Sequence, residues 1–175
     1  MRSNFLSTIA HFQLSISYCQ FCKTIVVVLV FLHIVFCASA QYNGFSLSTA
    51  GVRIYDASAS VLSEINKVPE IENRLVQVGA DISQSDFDNI CSKFKWIKKL
   101  SIENSEEIID LSSVKKLKEL EYLQLKNCSG ADSISLAPFA ELLSLKTLLI
   151  VNTAIYDYET LSSLTNLETL SFEKS

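Results

Sequence analysis

Two consecutive stretches decide how this chain is read: Leu145-x-x-Leu148-x-Ile150-x-x-Thr153-x-Ile155-x-Asp157-Tyr158-x-x-Leu161-x-x-Leu164, then Leu167-x-x-Leu170-x-Phe172-x-x-Ser175. Working outward, the preceding unit runs Leu120-x-x-Leu123-x-Leu125-x-x-Cys128, then Leu136-x-x-Phe139-x-x-Leu142-x-x-Leu145. Before it stands Ile97-x-x-Leu100-x-Ile102-x-x-Ser105, then Ile108-Ile109-Asp110-Leu111-x-x-Val114-x-x-Leu117-x-x-Leu120. Six apolar-x-apolar pairs mark the period: Val52/Ile54, Val76/Val78, Leu100/Ile102, Leu123/Leu125, Leu148/Ile150 and Leu170/Phe172. Their spacings are 24, 24, 23, 25 and 22 residues. Self-similarity at this period marks a stack of units, each unable to bury its apolar face until a neighbour covers it.

Each unit mixes two periods. Alternation over Leu100-Ser101-Ile102-Glu103 and Leu123-Gln124-Leu125-Lys126 is a strand signal, one face in and one out. Spacing of three over Val114, Leu117 and Leu120, or Phe139, Leu142 and Leu145, suits a tight helical or 3₁₀ return. A unit therefore reads strand, turn, return, and stacked strands give a parallel sheet over one continuous core. Three residues after each pair lie Ala57, Asp81, Ser105, Cys128, Thr153 and Ser175, a second ladder in which five of six members are polar or sulfur-bearing.

The pattern resembles the leucine-rich-repeat family, in the short, roughly 22-residue form of internalin-like repeats. The match is good from Ile97 to Ser175 and fades toward Gly51, where leucines are scarce. The resemblance implies an α/β solenoid, with a curved parallel sheet on the concave face and short helical or 3₁₀ return segments; a hydrophobic signal helix, read from the leader itself, is expected in front. It also implies that the second ladder points inward and hydrogen-bonds turn backbone. An unpaired buried group there costs about 1–3 kcal/mol. Ala57 cannot serve this way, so the first unit is expected to be degenerate or a cap.

Residues 1–40 are a different material. Lys23 precedes the apolar run Thr24 to Phe36, and Cys37-Ala38-Ser39-Ala40-Gln41 follows. A cation, a short apolar run and small residues at the −3 and −1 positions describe a secretory signal cleaved after Ala40. An uncleaved signal anchor is the alternative reading, although the run is short of the ~20 residues that span a bilayer. The expected organisation is signal peptide 1–40, linker 41–50, N-terminal cap and degenerate repeats 51–96, and repeats 97–175. Ser175 falls in mid-unit, so the chain reads as a fragment of a longer protein.

Removing the leader leaves 13 Lys and Arg against 19 Asp and Glu, a balance of −6. Both histidines, His11 and His33, lie in the leader, as does Cys19-x-x-Cys22. The remainder then holds no Ser-His or Cys-His nucleophile and no histidine-ligated zinc. Cys91 and Cys128 read as buried thiols, with a disulfide between them the rival reading. The pairs Glu106-Glu107 and Asp86/Asp88 lack the spacing of a calcium loop and read as solvated turns. Asp110 and Asp157, at equivalent places, are expected to cap the return segments. Lys93, Lys95, Lys98 and Lys99 surround Phe94 and Trp96, but the acidic balance argues against nucleic acid, and these lysines are expected on a flank. No catalytic residue, cofactor or metal ligand is expected.

Function is therefore expected on the outward strand positions. These are Lys99, Ser101, Glu103 and Asn104; Tyr122, Gln124, Lys126 and Asn127; Thr147, Leu149, Val151 and Asn152; and Thr169, Ser171, Glu173 and Lys174. Tyr122, Gln124, Lys126, Thr147, Leu149 and Val151 form the candidate partner-binding set, with Leu149 and Val151 apolar where water is expected. Asn127-Cys128-Ser129 is an N-glycosylation sequon. The resemblance implies a non-catalytic protein for adhesion, cell-surface recognition or scaffolding, and the leader adds the expectation of export. The alternatives are an intracellular or membrane-anchored scaffold, held through the leader or a missing C-terminal anchor, and the targeting part of a larger enzyme.

Overall fold

The computed structural model describes residues 39–128 and 133–173. Residues 1–38 of the expected leader, with its histidines and cysteines, and the ladder position Ser175 lie outside the described residues, as do Ser129 of the sequon and Lys174.

The apolar-x-apolar pairs form the strands β3 (Gly51–Ile54), β4 (Leu75–Gly79), β5 (Lys99–Glu103), β6 (Tyr122–Lys126), β8 (Thr147–Val151) and β10 (Thr169–Glu173). All five adjacent pairs among them are parallel. Val52, Val76, Leu100, Leu123, Leu148 and Leu170 stand in register across the sheet, and so do Val78, Ile102, Leu125, Ile150 and Phe172. Alternation puts both rows on one face, where every member from Val52 to Ile150 is at most 1% exposed. The last members differ: Leu170 and Phe172 on β10 are 44% and 46% exposed.

Each of β3, β4, β5, β6 and β8 leads into a return that closes one coil, named here by its strand. In the β5, β6 and β8 coils the return contains a 3₁₀ turn, Ser112–Lys116, Ala137–Glu141 and Tyr158–Ser163 respectively. Bonds of the i to i+3 type step along the apolar residues themselves. Val114 N donates to Leu111 O, Leu117 N to Val114 O and Leu120 N to Leu117 O; the same steps recur at Phe139, Leu142 and Leu145. A spacing of three thus satisfies backbone groups and aims one side chain per step into the core. The returns of the β3 and β4 coils are built differently. They hold helices α1 (Ala59–Ile65) and α2 (Gln84–Lys93), the latter burying Phe87, Ile90 and Cys91, with Ser83 Oγ accepting from Asp86 N at 3.2 Å as its N-cap. A two-stranded parallel ladder of β7 (Ile134–Ser135) and β9 (Ile155–Tyr156) adds a second seam between the β6 and β8 coils.

Between strand and return the chain turns through an asparagine with a left-handed backbone. Asn104, Asn127 and Asn152 have φ of 54°, 52° and 45°, a region that asparagine tolerates better than most residues. Their amides join: Asn127 Nδ2 donates to Asn104 Oδ1 at 2.8 Å, and Asn152 Nδ2 to Asn127 Oδ1 at 3.0 Å. The next residues, Ser105, Cys128 and Thr153, point inward and are at most 2% exposed. Ser105 Oγ accepts from Ile108 N at 3.1 Å, and Thr153 Oγ1 accepts from Cys128 N at 3.1 Å while donating to Val151 O. Asp81 departs from this ladder. It is exposed, and Ile82 enters the core in its place, because the β4 coil turns at Gly79 (Ile82 N to Gly79 O, 3.0 Å) without a left-handed residue.

The N-terminal part corrects a second expectation. Residues 41–50 were expected as a linker, yet β1 (Ser39–Tyr42) and β2 (Phe45–Ser48) form a hairpin that extends the sheet antiparallel from β3. Gly44 makes its turn at φ 88°, where a Cβ would lie 2.6 Å from Val61 Cγ2. Phe45, 1% exposed, caps the core beneath Tyr42, whose ring stacks on it at 4.5 Å. β1 starts at Ser39, ahead of the expected cleavage site after Ala40.

Candidate partner-binding face

Strand register decides what the outward side chains can do together. Tyr122 stands beside Thr147, Gln124 beside Leu149, and Lys126 beside Val151. The six candidate residues therefore share one patch on β6 and β8, on strands roughly 4.8 Å apart. One strand further, Lys99, Ser101 and Glu103 continue the rows, and beyond them Leu75, Gln77 and Gly79.

The patch has two chemistries. On β4 to β6 the outward groups are bonded to one another. Ser101 Oγ lies 3.0 Å from Glu103 Oε1 and 3.1 Å from Gln124 Oε1, and its single proton serves one acceptor at a time. The Tyr122 hydroxyl donates to Gln124 Oε1 at 3.3 Å, and Gln77 Nε2 to Glu103 Oε1 at 3.5 Å. Burial and then the Glu103 charge hold the Tyr122 hydroxyl above its ordinary pKa. Ser101 was expected in solvent; it is fully buried, with Gln77, Glu103 and Gln124 closing around it. On β8 the chemistry changes. Leu149 and Val151 are partly buried aliphatics whose neighbours on β10 are Ser171 and Glu173. A preorganised polar network thus borders an apolar strip.

Gln77 is the member that sequence reading missed, because its unit lacks leucines. Its place in the middle of Val76-x-Val78, the slot that Ser101 and Gln124 fill in later units, is the signal that identifies it.

Asn127 lies at the end of β6, its Nδ2 engaged with Asn104 and its Oδ1 with Asn152. A glycan there would have to replace the second hydrogen of that amide, leaving the first for Asn104. Asp110 lies one residue ahead of Leu111, the N-cap of the β5-coil return, and its Oδ1 accepts from Ser112 N at 2.8 Å; bonds from Ser112 hold its carboxyl below the usual range. Asp157 does not cap. It sits at φ 62° and accepts from the Ser135 hydroxyl of the preceding coil, tying two coils together. The flank lysines bridge coils too: Lys115 and Lys118 pair with Glu141 at 3.5 and 2.9 Å, and Lys146 with Glu121 at 2.8 Å. All are exposed, where ion pairs contribute little to stability.

Cys91 and Cys128 are both free and buried. Burial, followed by the Asp88 charge, pushes the Cys91 thiol up to about 12; burial also raises Cys128. Both shifts favour the protonated thiol, whereas thiolate is the reacting form. Iodoacetamide with mass-spectrometric readout is therefore expected to leave both unmodified in the folded chain and to label both in guanidinium. Fast labelling of either in the folded state would contradict its burial.

No protein-family model matches the chain, and no curated protein matches it significantly. Among solved structures, a leucine-rich-repeat (LRR) protein of Leptospira interrogans is similar over 69% of this chain, at 16% sequence identity and a TM-score of 0.48; the chain spans 35% of that one.

Proposed function

We propose that this chain is an exported, non-catalytic leucine-rich-repeat protein of the short, internalin-like kind, recognising a protein partner through the outward face of β6 and β8. The observation that carries the reading is the juxtaposition of Leu149 and Val151 with the bonded groups of Tyr122, Gln124 and Ser101. Burying an aliphatic side chain on association gains roughly 1.5–3 kcal/mol. The polar neighbours, already fixed by mutual bonds, lose little freedom when a partner arrives. The role rests on recognition and holding, with adhesion the natural use in an exported setting.

A photo-crosslinker at Thr147 in the exported chain tests this reading. It is expected to capture one predominant protein, and Leu149→Asp with Val151→Lys to reduce capture at least about tenfold with unchanged circular dichroism. Equal capture by the double variant would move the partner site elsewhere. Export is tested separately: N-terminal sequencing of extracellular chain should begin at Gln41, leaving Gln41 and Tyr42 of β1 in place. Retention of an intact leader inside the cell would favour a scaffold role instead.

A further inference from the structure

On the return side the coils fall out of step. In the β5 coil the buried residues Ile108 and Leu111 are separated by two exposed residues, Ile109 and Asp110; in the β6 coil Ile134 and Leu136 are separated by Ser135 alone. The extra residue leaves a two-residue bow, Ile109 and Asp110, on the surface. Gln84 of α2 holds the bow: its Oε1 accepts from Ile109 N and Asp110 N, both at 3.0 Å, and its Nε2 donates to Asp110 O at 2.8 Å. The bow is therefore bonded toward the β4 coil, and no ladder among the described residues joins it to β7.

β7 pairs on one side only, with β9, through Ile134 N to Ala154 O at 2.8 Å and Leu136 N to Tyr156 O at 3.1 Å. A parallel strand sends alternate residues to opposite sides, so Ser135 presents its backbone toward the bow. Among the described residues no strand pairs with that edge. Between the two coils lies an open groove of about 440 Å³, within the range of ligand sites. Ile109, 51% exposed, stands on one wall; Tyr156, in register with Ser135 and 49% exposed, stands on the other. Of the two charged groups there, Lys115 already faces Glu141 at 3.5 Å, while the Asp110 carboxylate has hydroxyl and amide partners from Ser112, feels Lys115 only through its charge, and among the described residues has no cation in ion-pair contact.

We propose that this groove takes an extended segment of a partner polypeptide, added as a strand along the free edge of β7. An unpaired strand edge is a template for main-chain hydrogen bonds, and pockets beside it select alternate side chains. Here the walls select an apolar residue between Ile109 and Tyr156, and Asp110 selects a neighbouring Lys or Arg. The site is separate from the sheet face and does not depend on it.

The test is selection of a phage-displayed random peptide library on the full-length chain. Enriched peptides should alternate apolar residues with a Lys or Arg, and as synthetic peptides should slow exchange of the Ser135 amide. Their affinity should fall about tenfold in Ile109→Asp and in Tyr156→Ala, two exposed positions where folding can be checked by circular dichroism, and stay unchanged in Leu149→Asp. Failure to enrich any peptide would overturn the proposal. So would enriched peptides indifferent to both groove variants, or peptides lost in Leu149→Asp, which would place them on the sheet face.

Discussion

Leu123→Ala is expected to cost about 2–5 kcal/mol, the range for emptying a buried leucine site. Leu123 is completely buried, held between Leu100 and Leu148 in the central row. A coil cannot collapse around the void, because its neighbours on both sides are fixed by strand register. The matching change at Leu170 is the control. It occupies the same repeat position and pairs with Leu148, but is 44% exposed, so little cavity forms and the loss should stay below about 1 kcal/mol. Denaturant unfolding of both variants gives the comparison. Equal losses would mean that stability is set by each coil's own propensity rather than by coverage from its neighbours. In a stack whose interfaces carry the energy, the Leu123 variant should also lose cooperativity, unfolding in two steps as the coils on either side separate.

Thr153→Val should destabilise by about 1–3 kcal/mol despite its near-identical shape. Thr153 is 1% exposed, and its hydroxyl links two coils: it accepts from Cys128 N at 3.1 Å and donates to Val151 O at 3.0 Å. Valine keeps the volume and strands the Cys128 amide in a site closed to water. Thr153→Ser, which keeps the hydroxyl, should recover most of the loss, with thermal unfolding as the readout. If valine and serine variants melted together, the hydroxyl would have no part in holding the turn.

The parts of the fold that sequence made plain are those where one residue type has one physical use. Leu100, Leu123 and Leu148 recur because each needs the next for burial, so their spacing states their register. The threefold spacing of Val114, Leu117 and Leu120 likewise states the 3₁₀ bonds that those same residues make. Legibility failed where local polarity misled. Gln41 to Gly51 reads polar, yet buried Phe45 and partly buried Leu47, with the Gly44 turn, anchor a hairpin on the core. Asp81 fits a spacing rule but not its turn, which depends on a left-handed residue that the β4 coil lacks. On the candidate face, the alternation located all six residues; the burial of Ser101 did not show, because it arises from cross-strand neighbours 24 and 23 residues away, Gln77 and Gln124. Gln84 was silent for the same reason, since its partners lie 25 and 26 positions downstream.

The asparagine turns carry an implication for how such a chain can change length. Asn104, Asn127 and Asn152 each follow the second residue of their apolar pair by the same two positions, although the steps between them are 23 and 25 residues. Length variation is thus confined to the arc after the asparagine, while the segment leading into it behaves as an invariant cassette. Recombinants joined immediately after these asparagines should accept arcs of unequal size without shifting the alignment of any strand, so diversity can accumulate on one side of the molecule while the other remains fixed.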